Sequence, residues 1–421
     1  MKKGFIQCSI LAILVGLAYG GSCPTECNCI RTTVFCYDKE VNDTILLKIS
    51  QTLDPATTKV IQFQNNKMKN FKAEYFVNFT ELIAIHVRNN LLTVPPKRLS
   101  AYIPSVWSVT MSSNKISILS RENFVDYQNI ESLTLYDNNI ESVQPGTFEL
   151  LHKLTSLNLR QNNLITLKDG VFRGLPANME KIDVTNNKLQ SIESGLFQDF
   201  QLIDEVQLRD NKLASIQRGT FANIKELSLA SNSLTDDSIS PAAFSNVTKV
   251  LLKYNKLTTI IKDWFVTSPN EIEVPYNRLQ CDCKLYGNLK ALAELDSFYG
   301  ECYSPKSLKR KSFESMLRDN TLKCTSCALN SCQNKAFCKA VDKESYQCHC
   351  KSGYSGVYCE IGGGQQKENG SQMSPGLIVL IVLVLIALII ALGVVLYCRS
   401  KRAQKANTEN NPILSKENPK V

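Results

Sequence analysis

The stretch LTLYDNNI at residues 133–140 is the segment that determines the fold of this chain. Its pattern is L-x-L-x-x-N-x-L, with apolar substitutes, and it returns as LNLRQNNL at residues 157–164. Self-similarity at a regular period is the sequence signature of a repeat protein. The pattern occurs ten times at spacings of 21 to 25 residues, with the asparagines Asn66, Asn90, Asn114, Asn138, Asn162, Asn187, Asn211, Asn232, Asn255 and Asn277.

The residue types of the pattern have a physical reason. Each L-x-L stretch predicts a short parallel strand, because its alternate side chains then point into one core. The asparagine lies where the chain turns, and its amide can pair with backbone groups that the turn leaves unpaired. One repeat cannot bury its apolar face alone, so neighbouring repeats must stack. A recurring phenylalanine predicts a second stacked row on the opposite side, formed by Phe124, Phe148, Phe172, Phe197, Phe221, Phe244 and Phe265.

These repeats resemble the leucine-rich-repeat family. The resemblance implies an α/β solenoid, a horseshoe of short parallel strands, with about ten repeats at residues 55–279. A solenoid exposes apolar ends and needs caps. Cysteine clusters at residues 21–54 and 280–326 resemble the N-terminal and C-terminal caps of extracellular members of the family. The resemblance implies the disulfides Cys23–Cys29, Cys27–Cys36, Cys281–Cys302 and Cys283–Cys324.

Six further cysteines follow the second cap. Their spacing, with the sequence GYSG at residues 353–356 before the last one, resembles an EGF-like module at residues 327–360. So short a module needs disulfides, because it cannot build a sufficient core. The stretch before the first of these cysteines has no acidic residue, so we predict no calcium site. The resemblance implies the pairs Cys327–Cys338, Cys332–Cys348 and Cys350–Cys359.

The ends of the chain predict its compartment. Residues 1–20 have a basic start, a short apolar run and small residues, as in a secretory signal peptide. After a Gly-rich stalk at residues 361–376, residues 377–397 carry no charge and would span about 31 Å as a helix. The tail at 398–421 begins with basic residues, which favour the cytoplasmic side. A glycolipid-anchor signal is the alternative, but such a signal ends in its apolar run. The chain is therefore predicted to be a single-pass type I protein of the plasma membrane.

Modification sites agree with this topology. The secretory context and the lack of nearby histidine ligands favour disulfides over zinc, the alternative for clustered cysteines, so we predict no metal. Cys398 at the membrane edge is a candidate for S-palmitoylation, and a buried thiol is the alternative. Sequons for N-glycosylation occur at Asn42, Asn78, Asn246 and Asn369, all on the predicted outer side.

Composition and motifs exclude several functions. The net charge is +9, much of it near the two ends, which does not favour a nucleic-acid-binding protein. The three histidines are scattered, and no nucleophile or phosphate-binding motif is present, so we predict no enzyme and no cofactor.

Binding is therefore the expected function. The family resemblance implies a concave strand face, where the x positions of L-x-L-x-x-N are exposed and bind an extracellular protein ligand. Residues of the types that interfaces favour occupy five of these positions, Arg88, Tyr136, Arg160, Arg209 and Lys253. A basic run in the second cap is a candidate for heparan sulfate, and a solvated loop is the alternative. This run contains Lys306, Lys309, Arg310 and Lys311.

Two function classes follow. The first is a cell-surface recognition or adhesion receptor. The second is a membrane-anchored or shed regulator that sequesters a secreted growth factor. The order of domains resembles that of vasorin-like membrane proteins, which bind growth factors, but the fibronectin type III module expected there is absent. The repeats followed by an EGF-like module also resemble Slit-like secreted guidance proteins.

Overall fold

The computed structural model describes residues 22–313, 315, 332–334, 336–340 and 346–362. They fall into two compact units, one with the repeats and their caps and one with most of the cysteine-rich segment. The predicted signal peptide, transmembrane segment and tail lie outside these residues, as do Asn369, Cys398 and the stalk after Gly362. Among the helices of the described residues, none is both long and apolar enough to cross a membrane.

One sheet runs through the whole repeat unit. Each repeat adds one parallel strand, and Leu133 lies between Val109 and Leu157 of the neighbouring strands. The first two strands pair antiparallel, and every later pair is parallel. The thirteen strands are, in spatial order, β1 Asn28–Ile30, β2 Thr33–Tyr37, β3 Val60–Gln64, β4 Ala84–Arg88, β5 Ser108–Thr110, β7 Ser132–Thr134, β9 Ser156–Asn158, β11 Asn178–Asp183, β13 Leu202–Gln207, β14 Phe221–Ser228, β15 Phe244–Leu251, β16 Glu271–Glu273 and β17 Ser297–Tyr299.

The opposite side of the repeats contains little α-helix. A repeat of this length leaves few residues after its strand and turns, so short 3-10 turns and two-stranded pairs connect the strands. The α-helices are α1 Asp43–Thr52, α2 Leu99–Tyr102 and α3 Cys283–Lys290. The 3-10 helices are η1 Ala73–Phe76, η2 Arg121–Asn123, η3 Asp236–Ser238, η4 Lys262–Trp264 and η5 Lys306–Leu308. The pairs are β6 Ile118–Leu119 with β8 Ser142–Val143, and β10 Thr166–Leu167 with β12 Ser191–Ile192.

The repeated asparagines form a buried ladder. Asn162 is 6% exposed, and its Nδ2 donates to the carbonyls of Leu135 and Leu159, each at 3.0 Å. Its Oδ1 accepts from the backbone N–H of Ile140 at 3.0 Å, so the side chain bonds two successive repeats together. The ladder asparagines from Asn114 to Asn277 use the same donors and acceptors, which satisfies backbone groups that burial would otherwise leave unpaired.

The phenylalanines stack on the other side of the core, as the pattern predicts. Ring centroids from Phe124 through Phe265 follow one another at 5.2 to 6.5 Å, one ring per repeat. Aromatic pairs at such distances contribute about 0.5–1.5 kcal/mol beyond the area they bury. The core is therefore a continuous stack rather than a set of separate centres.

Disulfides and capped helices close the two ends of the repeats. Asn42 Oδ1 accepts from Ile45 N at 3.0 Å to cap α1, and Asp282 Oδ1 accepts from Leu285 N at 2.9 Å to cap α3. The cysteine-rich segment after the second cap contains β18 Phe337–Ala340, β19 Tyr346–His349, β20 Tyr354–Ser355 and β21 Ile361–Gly362. The described bridges have the pairing that the family resemblance implies, and Cys324 and Cys327 lie outside the described residues. These bridges are Cys23–Cys29, Cys27–Cys36, Cys281–Cys302, Cys332–Cys348 and Cys350–Cys359.

Candidate binding surface

One face of the sheet is open, and we call it the concave face. Its larger side chains are accessible: Arg88, Arg160 and Arg209 are exposed, and Tyr136 and Lys253 are half-buried. The expectation that all x positions are exposed is wrong for short side chains, because neighbouring strands only about 4.8 Å away shade them. The buried ones are Thr110, Ser112, Asp183, Thr185, Ser228 and Ala230.

Two of the five predicted anchors form a cluster at the centre of this face. The Arg160 guanidinium lies over the Tyr136 ring, 5.8 Å from its centroid. The Tyr136 hydroxyl donates to Gln161 Oε1 at 3.0 Å, and Gln161 Nε2 donates to Asp137 Oδ1 at 3.0 Å. Ser113 Oγ donates to the other oxygen of Asp137 at 2.7 Å. These contacts fix the aromatic ring and the cation in advance, which lowers the entropy lost when a partner binds.

Arg88 lies two repeats toward the N-terminus, beside His86. Nδ1 of His86 is buried and has no hydrogen-bond partner among the described residues. Burial lowers the pKa of His86, and the nearby Arg88 charge lowers it further. The imidazole is therefore neutral near pH 7, and burying an unpaired nitrogen costs stability.

The other two anchors are already engaged. Arg209 Nε lies 3.0 Å from an oxygen of Asp210, and Lys253 forms an ion pair with Glu273. Lys249 Nζ is 3.3 Å from the second oxygen of Glu273. The structure therefore does not bring the five anchors together: Tyr136 and Arg160 lie in contact, while Arg209 and Lys253 belong to internal ion pairs.

A further column of residues on the concave face is uncharged in the N-terminal repeats and charged in the C-terminal ones. It holds the residue six positions before each ladder asparagine, which is small and uncharged in the first five repeats and charged in the last five. Ion pairs join its charged members, with Lys181 2.7 Å from Glu205 and Lys249 3.2 Å from Glu271, beside an open groove of about 480 Å³. Sequence reasoning missed this column, although the strand alternation marks it. Its residues are Val60, Ala84, Ser108, Ser132, Ser156, Lys181, Glu205, Glu226, Lys249 and Glu271.

The ion pairs shift two protonation equilibria. Burial opposes the charge of Lys249, but hydrogen bonds to Glu271 and Glu273 raise its pKa above the ordinary value. Burial likewise opposes the charge of Glu273, but its hydrogen bond with Lys253 contributes most to holding its pKa below the ordinary value. Both groups are therefore charged at neutral pH and satisfied within the chain.

The residue before each ladder asparagine has positive φ. Eight repeats place Asn, Asp, Ser or Gln there, but the last two place Tyr254 at φ 55° and Tyr276 at φ 60°. A bulky side chain in this left-handed region is rare and costs roughly 1–2 kcal/mol. The two rings stack with centroids 4.4 Å apart, and the residues are 52% and 62% exposed. Sequence reasoning missed this pair, which the comparison of repeats at that position would have found.

The basic run of the second cap is accessible. Lys306, Lys309, Arg310 and Lys311 are all exposed, and η5 begins at Lys306. Lys309 Nζ lies 5.4 Å from the ring centroid of Tyr303, which is itself 54% exposed. This part of the cap therefore presents cations and an aromatic ring to solvent.

The three described sequon asparagines, Asn42, Asn78 and Asn246, are exposed. Asn42 uses its Oδ1 for the cap of α1, which leaves Nδ2 available for a glycan. Nδ2 of Asn246 donates to Asn223 Oδ1 at 2.9 Å. Across the described residues, no group of three or more His, Cys, Asp or Glu side chains is arranged to hold a metal ion.

Comparison with known families follows the same division of the chain. The sequence matches the BspA type leucine rich repeat region in six copies, over residues 56–177, 117–251 and 166–279. It also matches the EGF-like domain over residues 324–358. Among curated proteins, no similar sequence is found.

Two solved structures have a similar fold. A chain of the octameric complex of Latrophilin 3 (Lec, Olf), Unc5D (Ig, Ig2, TSP1) and FLRT2 (LRR) aligns with a TM-score of 0.53 at 23% identity, over 69% of this chain and 97% of that one. A chain of the TLR13–ssRNA13 complex aligns with a TM-score of 0.51 at 20% identity, over 61% of this chain and 37% of that one. At these identities the likeness establishes the fold alone.

Proposed function

Because this chain belongs to the leucine-rich-repeat family, which it matches over more than half of its length, we propose that it is a cell-surface recognition or adhesion receptor. It binds a protein ligand through the concave face and performs no catalysis. The observation that carries this proposal is the Tyr136–Arg160 cluster, held in place at the centre of an open and polar sheet face. Tyrosine and arginine are the residue types most enriched where interfaces concentrate their binding energy.

The test uses a matched pair of variants. Tyr136→Ala with Arg160→Ala removes the central cluster, while Tyr102→Ala with Arg98→Ala removes a second cation–π pair, 5.2 Å apart, outside the concave face. The full-length chain and both variants are displayed on cells and screened against a panel of secreted and cell-surface ectodomains. A ligand retained by the control variant but weakened about tenfold or more by the concave variant supports the proposal. A ligand equally insensitive to both changes contradicts it.

The second function class uses the same face for a different purpose. A regulator of this kind, similar to vasorin-like proteins, would sequester a secreted growth factor, either on the membrane or after cleavage in the stalk. Clustering of cells that express the chain favours the adhesion receptor, whereas a cleaved ectodomain in the medium favours the regulator. Both function classes assume the domain boundaries predicted from the sequence. They also assume that the chain is a single-pass type I protein of the plasma membrane.

Heparan sulfate is a proposed additional partner of the basic run in the second cap. Four exposed cations beside an exposed tyrosine support this site. Replacing Lys309, Arg310 and Lys311 together with Ser should lower the salt concentration that elutes the chain from heparin. Elution of parent and variant at the same salt would mean that the run is a solvated loop.

A further inference from the structure

A row of cations follows the ladder asparagines along one edge of the solenoid. The residue directly after each ladder asparagine is Lys or Arg in six of ten repeats and is uncharged in the other four, so no acid interrupts the row. All of these side chains are exposed except two half-buried ones in the fifth and eighth repeats. We call this set the flank row: Lys67, Leu91, Lys115, Asn139, Asn163, Lys188, Lys212, Ser233, Lys256 and Arg278.

The backbone holds the flank row at steps of one repeat. From the second repeat onward, the N–H of each flank-row residue donates to a carbonyl of the preceding repeat, two residues after its ladder asparagine. For Lys212, Lys256 and Arg278 these bonds measure 2.9, 2.9 and 2.8 Å. Adjacent members therefore follow one another at about 5 Å, the spacing of neighbouring hydrogen-bonded strands.

Most of these charges are unpaired. Lys67 forms an ion pair with Glu40, but the other five cations of the row have no ion-pair partner among the residues that the structure describes. Asp210, two residues before Lys212, is held by Arg209. The row is therefore a line of uncompensated positive charge, densest where Lys188 and Lys212, and then Lys256 and Arg278, occupy neighbouring repeats.

The stacked tyrosines adjoin the C-terminal end of this line. Tyr254 and Lys256 flank the inward-pointing Asn255, and Tyr276 and Arg278 flank its successor in the ladder in the same way. The last two repeats thus place an exposed aromatic ring and an unpaired cation on the same edge. Neither tyrosine hydroxyl has a hydrogen-bond partner within the described part of the chain.

We propose that the flank row and the Tyr254–Tyr276 pair bind a linear sulfated polysaccharide. Cations at one-repeat steps suit an extended polymer whose sulfates recur along its length. Exposed tyrosine rings can stack on the apolar C–H faces of sugar rings, and their free hydroxyls can bond to sugar oxygens. The disulfide-bonded caps indicate an oxidising, extracellular setting, where such polysaccharides occur. This site is distinct from both the concave face and the basic run of the cap.

The test measures binding of a heparin oligosaccharide to the full-length chain in detergent. The flank variant carries Lys212→Gln, Lys256→Gln and Arg278→Gln, which remove three charges and leave polar, somewhat shorter side chains in their place. The affinity of this variant for the heparin oligosaccharide should be about tenfold lower than that of the parent chain at physiological salt. The difference should become smaller at higher salt, because salt screens the cations that the parent retains.

A control variant with Lys168→Gln, Arg218→Gln and Lys262→Gln removes the same number of exposed Lys and Arg charges away from the row. Retained heparin affinity in this control supports a specific site. An equal loss of affinity in both variants would mean that the net charge of the chain, rather than the position of the cations, determines binding, and it would overturn the proposal. Unchanged affinity in the flank variant would overturn it as well.

A second arm tests the tyrosines and the ligand class. Tyr254→Asn with Tyr276→Asn installs the residue type that other repeats carry in the same conformation, so the fold is retained while the aromatic faces are lost. We expect weaker heparin binding with an unchanged thermal midpoint, and unchanged binding would exclude the tyrosines from the site. Single-stranded DNA of equal charge should bind more weakly than heparin, and equal binding would contradict a polysaccharide ligand. The basic run of the second cap is intact in all of these variants. The proposal that this run binds heparan sulfate is therefore tested separately.

Discussion

Asn162 and Arg160 are two residues apart and have opposite roles. The asparagine is buried and bonded to backbone groups of two repeats, whereas the arginine is exposed above Tyr136. Asn162→Ala should lower the free energy of unfolding by about 1–3 kcal/mol, because it leaves the buried N–H of Ile140 without its acceptor and removes one of the two amide donors to Leu135 O. Arg160→Ala should cost under about 1 kcal/mol, the value of an exposed cation–π contact. Thermal unfolding of the full chain measures both, and equal losses would mean that the strand register is wrong here.

Glu273 should make stability depend on pH. Its side chain is 15% exposed, and burial raises the pKa of its carboxyl, but the hydrogen bond with Lys253 contributes most to the net lowering below the ordinary value. A depressed pKa in the folded state contributes stability above the unfolded pKa of about 4.3 and loses it as pH falls through the folded value. Glu273→Gln should therefore destabilise the chain near pH 7, and the difference from the parent should disappear in acid.

Glu141→Gln is the control for this measurement, since Glu141 is exposed and forms no ion pair among the described residues. Denaturant unfolding at pH 7 and below pH 4 compares both variants with the parent. A Glu273→Gln deficit that persisted unchanged in acid would show that packing, rather than charge, accounts for the loss.

At the residue scale, the sequence predicts roles wherever the period of the repeat dictates them. The ladder asparagines and stacked phenylalanines follow from spacing, because their partners are the same positions in the next repeat. The engagement of Arg209 and Lys253 could not be predicted in this way, because it depends on which rotamers reach Asp210 and Glu273. The sequence does contain a signal for the tyrosine pair. The residue before each ladder asparagine is polar and non-aromatic in the first eight repeats and is a tyrosine only in the last two.

Two glycines test the turns that connect the strands. Gly174 has φ +83°, and a Cβ added there would lie 2.6 Å from the carbonyl oxygen of Glu149. Gly219 has φ +68°, but an added Cβ would meet nothing within 4 Å. Gly219→Ala should therefore cost roughly 1–2 kcal/mol for the left-handed conformation alone. Gly174→Ala should cost about 1–3 kcal/mol more, because the backbone of the preceding repeat must move.

Chemical unfolding of the two variants measures this difference. The left-handed backbone is common to both, so it cancels in the comparison and leaves the steric contact. Equal losses of stability would show that the turn at Gly174 relaxes without disturbing the preceding repeat.

At the element scale, the strands were predictable and the connections were not. Every L-x-L stretch becomes a strand or its continuation, since apolar alternation fixes which side faces the core. The α/β expectation overstated the helices, because α-helix within residues 22–312 is confined to α1, α2 and α3. The connections vary in length and are set by turn geometry and packing rather than by a periodic pattern.

At the scale of the molecule, two surfaces of the repeat unit differ in how their charges are paired. The concave face combines a fixed Tyr136–Arg160 centre with a C-terminal half whose charges pair internally, while the flank row leaves its cations unpaired. An unpaired row is available to an anionic polymer, whereas a paired network mainly stabilises the sheet and sets its register. The proposed protein site and the proposed polysaccharide site therefore use different residues of the solenoid, so under these proposals the two ligands need not compete.

The last prediction concerns how this molecule is placed in the cell. The signal sequence at 1–20, the uncharged stretch 377–397 and the basic residues that follow it predict repeats outside the cell and a tail inside. A tag after Gly21 should stain on intact cells, whereas a tag after Val421 should stain only after permeabilisation.

Removal of N-glycans should also increase the mobility of the chain on a gel, because Asn42, Asn78 and Asn246 are exposed. A chain with all three changed to Gln serves as the control, because any mobility shift that remains then reports Asn369 alone. Staining of the C-terminal tag on intact cells would contradict this topology, since the basic flank would then have crossed the membrane.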